Sequence, residues 1–414
     1  MTRQVARGAL AAGGLCLLAH AAIAQSPTDI GTLPGYTVAR PKSVDNHVDI
    51  VGQVARAGPD EQAALWMRTP DGYSVEALPP LAGLVRGDAR AFGRRGTPVG
   101  YSYLVGGGVS LYRAVVWRED PAGQRVAVDL EPPPGFTDAL AFDANAHGLI
   151  VGEATNPRET INGSTVRHAL AWIPRKGGEY EALDLGVPEG YDVSSASGVN
   201  ELGEVVGTAR RLESDGAGGL FLRSTVVVWR PRLRHDGRCH TDTWVLPPRA
   251  DLPRNQNPTI NAVGLVVAQA ERVTSGQPLV SRPLLWKRWG RGFVGPYELP
   301  LPDGFTDAVA TDVNELGVVL GTAYVRPATP GAALASQAVV WTWSWHKSRF
   351  VPALLANPEG IALVTAARLN ERGDAVGYAP LPAAGASGGL LWKRKTCGHW
   401  SAPSHLLATD AEGR

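Results

Sequence analysis

Cysteine and net charge are what this sequence has least of. Its 414 residues include three cysteines, and 40 Lys and Arg side chains balance 39 Asp and Glu. Cys239 and Cys397, which follow the N-terminal region, are too few for a disulfide scaffold, and neither has a CxxC partner for zinc. A net charge near zero leaves no electrostatic footprint for nucleic acid or for an anionic membrane surface. We therefore expect no metal centre and no nucleic-acid partner.

Long apolar runs are missing beyond the N-terminus, and so is the helical spacing of apolar residues. Residues 1–24 predict a secretory signal peptide: Arg3 and Arg7 precede an apolar stretch at 9–19, and a small-x-small cleavage site at 22–24 makes Gln25 the mature N-terminus. No later stretch of 18 apolar residues exists, so we expect no membrane span in the mature chain. The sequence predicts a secreted or periplasmic bacterial protein.

The familiar catalytic and cofactor motifs are absent as well. There is no Gly-x-Ser-x-Gly elbow, His-Glu-x-x-His helix, phosphate loop or dinucleotide fingerprint, so we expect no cofactor. Acidic turns at 143–148 and 312–317 lack the third oxygen ligand and the distal Glu of a calcium loop, and we interpret them as hairpin turns. His235, Cys239 and His240 could bind a transition metal, but a solvated hairpin is the favoured interpretation.

What the sequence does contain is a repeat. Tripeptides of two small or apolar residues and a tryptophan recur at intervals of 51 to 57 residues, ending at Trp66, Trp117, Trp172, Trp229, Trp286, Trp341 and Trp392. A second signature, Asn-x-x-Gly-x followed by two apolar residues and Gly, precedes each one, most clearly at 200–207 and 314–321. The copy at 261–268 lacks the last glycine, and Asp45 and Gly93 replace Asn in the first two copies. Repetition at this period is typical of propeller blades.

Each signature has a structural meaning. Asn at the first position and Gly at the fourth favour a tight turn that closes a hairpin. The terminal Gly indicates a bulge or a close backbone approach. The Trp segment is a third strand and a fourth follows it, so each repeat is a four-stranded antiparallel sheet. The sequence predicts an all-β fold, a seven-bladed β-propeller, with the seven tryptophans in the core between blades.

The repeat also sets the predicted boundaries. The signal peptide (1–24) is followed by an N-terminal strand or latch (25–35) that is expected to pair with the last blade. The fourth strand of that blade is expected near 404–407, and a tail follows at 408–414. Cys239 and Cys397 fall in blades far apart in the ring, so we expect no disulfide between them within one chain. The predicted blades lie at about 36–78, 79–130, 131–185, 186–246, 247–300, 301–354 and 355–407.

The two signatures together resemble the HAF-type extracellular repeat proteins of bacteria. His168-Ala169-Leu170-Ala171-Trp172 is the nearest copy of that family's His-Ala-φ-φ-Trp element, and the segment 29–33 resembles its linking phrase. The resemblance implies a secreted β-propeller and brings no settled activity. In most copies another residue stands near the motif's histidine position: Gln62, Arg113, Ser224, Arg282 and Gln337.

Functional sites of propellers lie where the inner strands open onto the central channel, and charged residues are predicted there. They are Arg40, Arg86, Asp88, Asp138, Asp192, Arg254 and Asp307. The favoured interpretation is a wet channel in a non-catalytic binding scaffold whose partner is a glycan, a matrix polymer or another protein. The alternative is an exported hydrolase or lyase working at the channel mouth, with a pH-dependent activity that Asp138→Asn or Asp307→Asn would abolish.

Overall fold

A computed structural model describes residues 28–56, 60–161, 164–214, 220–233, 239–273, 279–326, 334–381 and 385–394. The predicted signal peptide, the expected strand at 404–407, the tail, His235 and Cys397 lie outside the described residues, so the proposed absence of a Cys239–Cys397 disulfide does as well. Within these ranges, none of the helical segments is long and apolar enough to cross a membrane. The one helical turn in the described chain is a short 3-10 segment at Arg94–Gly96.

Nearly everything else is antiparallel β-sheet, which confirms the predicted all-β class. The strands follow one another in groups that we label A to G. Group A contains β2 (Val38–Val44), β3 (Ile50–Ala55), β4 (Glu61–Thr69) and β5 (Gly72–Leu78); B contains β6 (Arg86–Phe92), β7 (Pro98–Gly106), β8 (Val109–Glu119) and β9 (Arg125–Asp129). Group C contains β10 (Thr137–Ala144), β11 (Ile150–Ile161), β12 (Ser164–Pro174) and β13 (Tyr180–Gly186); D contains β14 (Val193–Val199), β15 (Val205–Ser214), β16 (Leu220–Leu233) and β17 (Cys239–Val245). Group E contains β18 (Arg254–Ile260), β19 (Leu265–Arg272), β20 (Val280–Trp289) and β21 (Gly292–Glu298); F contains β22 (Asp307–Val313), β23 (Val319–Val325), β24 (Ala335–Ser344) and β25 (Arg349–Leu354). Group G contains β26 (Thr365–Leu369), β27 (Ala375–Pro380) and β28 (Ser387–Trp392).

Each group from A to F is a meander in which consecutive strands pair antiparallel, as the repeat predicts. Group G is completed from the other end of the chain, because β1 (Thr28–Asp29) pairs antiparallel with β28 and places Thr28 opposite Leu391. A single parallel bridge from Val38 to Ser387 also joins the first group to the last. The two ends of the described chain are therefore held together by hydrogen bonds.

The hydrophobic core lies in the seams between successive groups. All seven repeat tryptophans are at most 1% exposed. Trp172 of group C, for example, packs with Val99 and Leu130 of group B. The same kind of seam joins the last group to the first, where Val376 and Leu391 pack with Ile50. Because every group is covered on both faces, its middle strands are continuous apolar runs, and the groups form the closed sheet arrangement of a β-propeller.

The first strand of every group carries a β-bulge, and the glycine that ends the repeat signature lies opposite it. In group C the register shifts at Phe142, and Ala141 faces Gly152. A Cβ atom at Gly152 would lie 1.9 Å from the Leu140 carbonyl oxygen, so no other residue fits there. Group E has Ala268 in place of this glycine, and its irregularity widens to two residues, 257–258. In the six groups that keep it, the signature glycine leaves room for the carbonyl group of the bulged inner strand.

The signature asparagines join the groups to one another. Asn145 Oδ1 accepts the backbone N–H groups of His147 and Leu149 and so shapes its own turn. Each Asn side chain also donates to the turn of the next group: Asn145 to the Asn200 carbonyl, Asn200 to Asn261, Asn261 to Asn314, Asn314 to Asn370 and Asn370 to Asp45, at 2.9–3.0 Å. This asparagine ladder runs along the turns at one end of the molecule and breaks where Asp45 and Gly93 replace asparagine.

Candidate active site

Two cavities lie on the axis that the groups surround. The first has a volume of about 470 Å³, and the first strand of every group contributes to its wall. We call it the bulge cavity, because it is lined by the residues at the bulges: Lys42, Arg90, Phe142, Ser197, Asn257, Thr311 and Ala367. The second, of about 710 Å³, is lined by the signature turns and the strand ends that lead into them, and we call it the turn cavity. Arg368 lines both cavities, so its side chain marks their boundary.

Arg368 contacts two carboxylates that come from other groups. Its Nη1 lies 3.2 Å from Asp312 Oδ1 of group F, and its Nη2 lies 3.9 Å from Asp143 Oδ1 of group C. All three residues occupy the same position in the repeat, directly after the bulge. Each carboxylate is also oriented by a backbone N–H of the following group, Val199 for Asp143 and Leu369 for Asp312. The bulge therefore places two acids and one cation at the centre of the channel.

We call Asp143, Asp312 and Arg368 the triad, and burial acts against the charged form of two of its members, Asp143 and Arg368. Burial raises the pKa of Asp143, in opposition to the attraction of Arg368. Burial acts to lower the pKa of Arg368, but the attraction of Asp143 and Asp312 outweighs it and the pKa is raised. Asp312 makes the shorter contact with the guanidinium group and a direct hydrogen bond to it. Burial therefore favours the protonated form of Asp143, which is the form that a general acid needs.

The bulge cavity is cationic. Its lining includes Lys42, Arg90, Arg210, Arg254 and Arg368. Among the described lining residues the one carboxylate is Glu153, which is ion-paired with Arg167.

Two of these cations have carboxylate partners, and two others do not. Arg90 contacts Asp88 at 3.3 Å, and Arg254 lies 3.9 Å from Glu271. The side chains of Lys42 and Arg210 make no ion pair or hydrogen bond with any part of the chain that the structure describes. Burial lowers the pKa of Lys42, and nearby arginines add to this effect against the attraction of Asp88. Both side chains are therefore available to a ligand.

The turn cavity has the opposite character. Glu201, Glu315 and Glu371 line it and accept backbone N–H groups from the preceding turn; Glu371 accepts that of Glu315 at 2.7 Å and Glu315 that of Ala262 at 2.9 Å. Burial raises the pKa of Glu315 and of Glu371, and the negative charge of their neighbours adds to it. Within the described ranges, no three His, Cys, Asp or Glu side chains are grouped so that they could hold a metal ion. These three glutamates are engaged in joining the turns.

The predicted channel-mouth residues are spread over several environments. Arg254 lines the bulge cavity. Asp138 and Asp307, which share a sequence context, also share a contact: each accepts a backbone N–H from the third strand of the preceding group, that of Tyr112 and that of Ser281. These two carboxylates connect neighbouring groups and do not line either cavity in the described structure.

The remaining four lie outside the cavity walls as well. Asp88 is buried and accepts the Tyr101 hydroxyl at 3.1 Å, Arg86 lies over the Tyr103 ring, Arg40 lies 3.8 Å from Glu61, and Asp192 accepts the Leu212 N–H. As a set of ligand-binding residues they stay a prediction.

Sequence reasoning missed the triad, although a signal existed. The position two residues before the signature Asn is Asp143 in group C, Asp312 in group F and Arg368 in group G, whereas groups A and B have Ser43 and Ala91 there. The residues around this position repeat from copy to copy, whereas the position itself holds an acid in two copies and an arginine in a third. This change of charge singles the position out. From the sequence, Asp143 and Asp312 were interpreted only as parts of hairpin turns.

No family model matches the chain, and no curated protein matches it. The resemblance to HAF-type repeat proteins therefore stays a prediction. Among solved structures the chain is similar to that of YjhT, with 11% identity, 78% of this chain and 99% of the other covered, and a TM-score of 0.42. It is also similar to the Penicillium chrysogenum alpha-L-arabinanase complexed with arabinobiose, with 10% identity, coverages of 77% and 98%, and a TM-score of 0.42. A third is the phage phi92 endosialidase, with 10% identity, coverages of 94% and 76%, and a TM-score of 0.44.

These findings correct the main functional prediction. A non-catalytic scaffold was expected, but the similar structures that are named by an activity, the arabinanase and the endosialidase, are hydrolases. At this level of similarity the chemistry has to be argued from the site itself.

Proposed function

We propose that the chain is an exported seven-bladed β-propeller hydrolase that cleaves glycosidic bonds in its axial channel, with Asp143 and Asp312 as the acid-base pair. Groups A to G are the seven blades of this proposal, and residues 1–24 direct export. One observation carries it: two carboxylates from different groups meet on one guanidinium group at the boundary of the two cavities.

The spacing of the pair suits this chemistry. Because both carboxylates contact the same guanidinium group, the contacting oxygens are no more than about 9.5 Å apart, which does not exceed the largest separation between the two carboxyl groups of glycosidases. Asp143, whose pKa burial raises, donates its proton to the oxygen of the leaving sugar as the glycosidic bond breaks. Asp312 accepts a proton from the attacking water, and Arg368 holds both side chains in place.

The test is a hydrolysis assay of the purified full chain on a panel of neutral and acidic oligosaccharides, measured as released reducing ends. Asp143→Asn and Asp312→Asn should each lower the rate by about 10²- to 10⁴-fold, because each removes a proton-transfer group. Asp303→Asn, in an exposed turn, is the matched control and should leave the rate unchanged. The rate should fall at high pH as Asp143 loses the proton that it donates. Full activity in both triad variants would refute the assignment.

A lyase is the second candidate, because Lys42 lies without an ion-pair partner in a cationic cavity and has a lowered pKa. In β-elimination its neutral amine would take the proton next to a sugar carboxylate, a carbon–carbon double bond would form as the glycosidic carbon–oxygen bond breaks, and the leaving oxygen would take a proton from water. Cleavage that produces ultraviolet-absorbing unsaturated sugars, and that Lys42→Met abolishes while Asp143→Asn does not, would favour the lyase over the hydrolase.

A further inference from the structure

We infer that the bulge cavity binds the acidic groups of the substrate, so that the substrate is an anionic saccharide recognised through Arg210 and Lys42. The inference rests on the proposed function in calling the bound saccharide a substrate. Binding itself requires only the charges and the shape of the cavity.

The charge balance of the cavity is its first support. Five cationic side chains line it, and the single described carboxylate of its wall, Glu153, is already paired with Arg167. Arg210 and Lys42 have no partner in the described chain. Unpaired charges that are partly removed from water cost free energy, and an anionic ligand would remove that cost. Guanidinium groups also match the two oxygens of a carboxylate or a sulfate.

The remaining lining fits a saccharide. Hydroxyl and amide side chains such as Ser197, Gln256 and Asn257 surround the cavity, and Phe142 offers an aromatic ring. Asn255 Oδ1 and Thr259 Oγ1, both in the wall, are buried without a hydrogen-bond partner in the described structure. The volume of about 470 Å³ lies within the roughly 300 to 1,000 Å³ of small-molecule sites. A sugar ring would give these groups both hydrogen bonds and an apolar face.

The fold does not require these cations. The bulge positions of the other groups hold Phe142, Ser197, Asn257, Thr311 and Ala367, so the bulge forms without a charge. The position of Arg210, which pairs with Val193 at the start of an inner strand, is Tyr103 in group B and Glu271 in group E. Cations at these places are therefore specific to individual groups, whereas the repeat fixes only the glycine opposite the bulge.

The experiment is isothermal titration calorimetry on the full chain with oligogalacturonate, its methyl-esterified form and a sulfated oligosaccharide, repeated with Asp143→Asn so that turnover does not contribute. We expect binding of the acidic saccharides that weakens with salt, and at least about tenfold weaker binding of the neutral methyl ester. Tighter binding of the uronate identifies a carboxylate as the recognised group, and tighter binding of the sulfated sugar identifies a sulfate.

Arg210→Gln should weaken binding of the acidic saccharide at least about tenfold, since it removes a charge-assisted contact. Arg291→Gln, the same change in an exposed outer hairpin, should have no effect. Thermal unfolding of both variants checks that they fold, and Lys42→Met gives an independent second variant. Equal affinity for the methyl ester, no binding of any acidic saccharide, or unchanged binding in Arg210→Gln would overturn the inference.

The two proposals fail in different ways. Acidic saccharides that bind through Arg210 without being cleaved would contradict the hydrolase and keep the binding site. Cleavage of a neutral glycan that depends on Asp143 and not on Arg210 would keep the hydrolase and contradict the anionic substrate.

Discussion

The two axial cavities differ in how far the fold already engages their charged side chains in hydrogen bonds and ion pairs. In the turn cavity Glu315 and Glu371 accept backbone hydrogen bonds from neighbouring turns, beside the asparagine ladder. In the bulge cavity Arg210 and Lys42 contact no partner in the described chain. A cluster of charge thus points to a ligand only where the framework does not already use it. This is why we place the anion site in the bulge cavity.

The triad lies between these two cases. Asp312 and Asp143 each orient a backbone N–H of the next group, as the framework acids do, yet both line an open cavity and share one guanidinium group. A buried ion pair of this kind is weak support for stability on its own. The comparison therefore predicts that framework substitutions lower stability, whereas cavity substitutions lower binding or activity.

The largest stability effect should come from the framework tryptophans. Trp341→Ala removes a fully buried side chain, together with its hydrogen bond to the Pro300 carbonyl, and should lower the free energy of unfolding by about 3–5 kcal/mol. Trp345→Ala, at an 82% exposed residue of the same group, should change it by less than about 0.5 kcal/mol. Chemical denaturation measures both. Similar losses in the two variants would contradict the seam packing.

A smaller difference in stability is expected between a substitution in the asparagine ladder and a substitution at the bulge cavity, three residues apart in group F. Asn314→Ala removes the bond to Asn370 and leaves buried N–H groups of its own turn without an acceptor, which should cost about 1–3 kcal/mol. Thr311→Ala, three residues earlier at the bulge, removes only a long hydrogen bond of 3.4 Å to the Leu320 carbonyl and should cost about 0.5 kcal/mol. Urea denaturation compares the two variants directly when the dependence of the unfolding free energy on urea concentration is the same in both. A more costly Thr311 variant would reverse the assignment of framework and cavity.

The smallest effect should appear as a pH dependence at His168. A hydrogen bond from His168 to Asp184, opposed by burial, raises the pKa of His168. A raised pKa in the folded state stabilises the protein below the unfolded value of about 6.5, and that contribution disappears as the pH rises through the folded value.

The destabilisation caused by His168→Gln should therefore be greater at about pH 5.5 than at about pH 9. Denaturation curves at the two pH values provide the measurement, and a penalty for His168→Gln that grows with pH would contradict the sign.

Much of the framework could be predicted from the repeat. The four-stranded antiparallel sheets, the turn at each signature Asn and the close backbone approach at each terminal Gly follow from local chemistry. The function of the asparagines in joining groups did not, because the amide of Asn314 contacts a carbonyl 56 residues away. Asp138 and Asp307 were singled out as charges at a channel mouth, but each accepts a backbone hydrogen bond from the preceding group, and no spacing in the sequence shows the direction of a side chain.

The sequence by itself determined the all-β class, the strand order within each repeat and the tryptophans of the core, because period, turn chemistry and apolar runs act over short distances. The tertiary structure decided what meets on the axis. Asp143, Asp312 and Arg368 are separated by up to 225 residues in the sequence. Only the packing of successive groups around a common centre brings the two carboxylates onto the guanidinium group of Arg368. The site depends on this arrangement because each group contributes a single bulged strand to the channel.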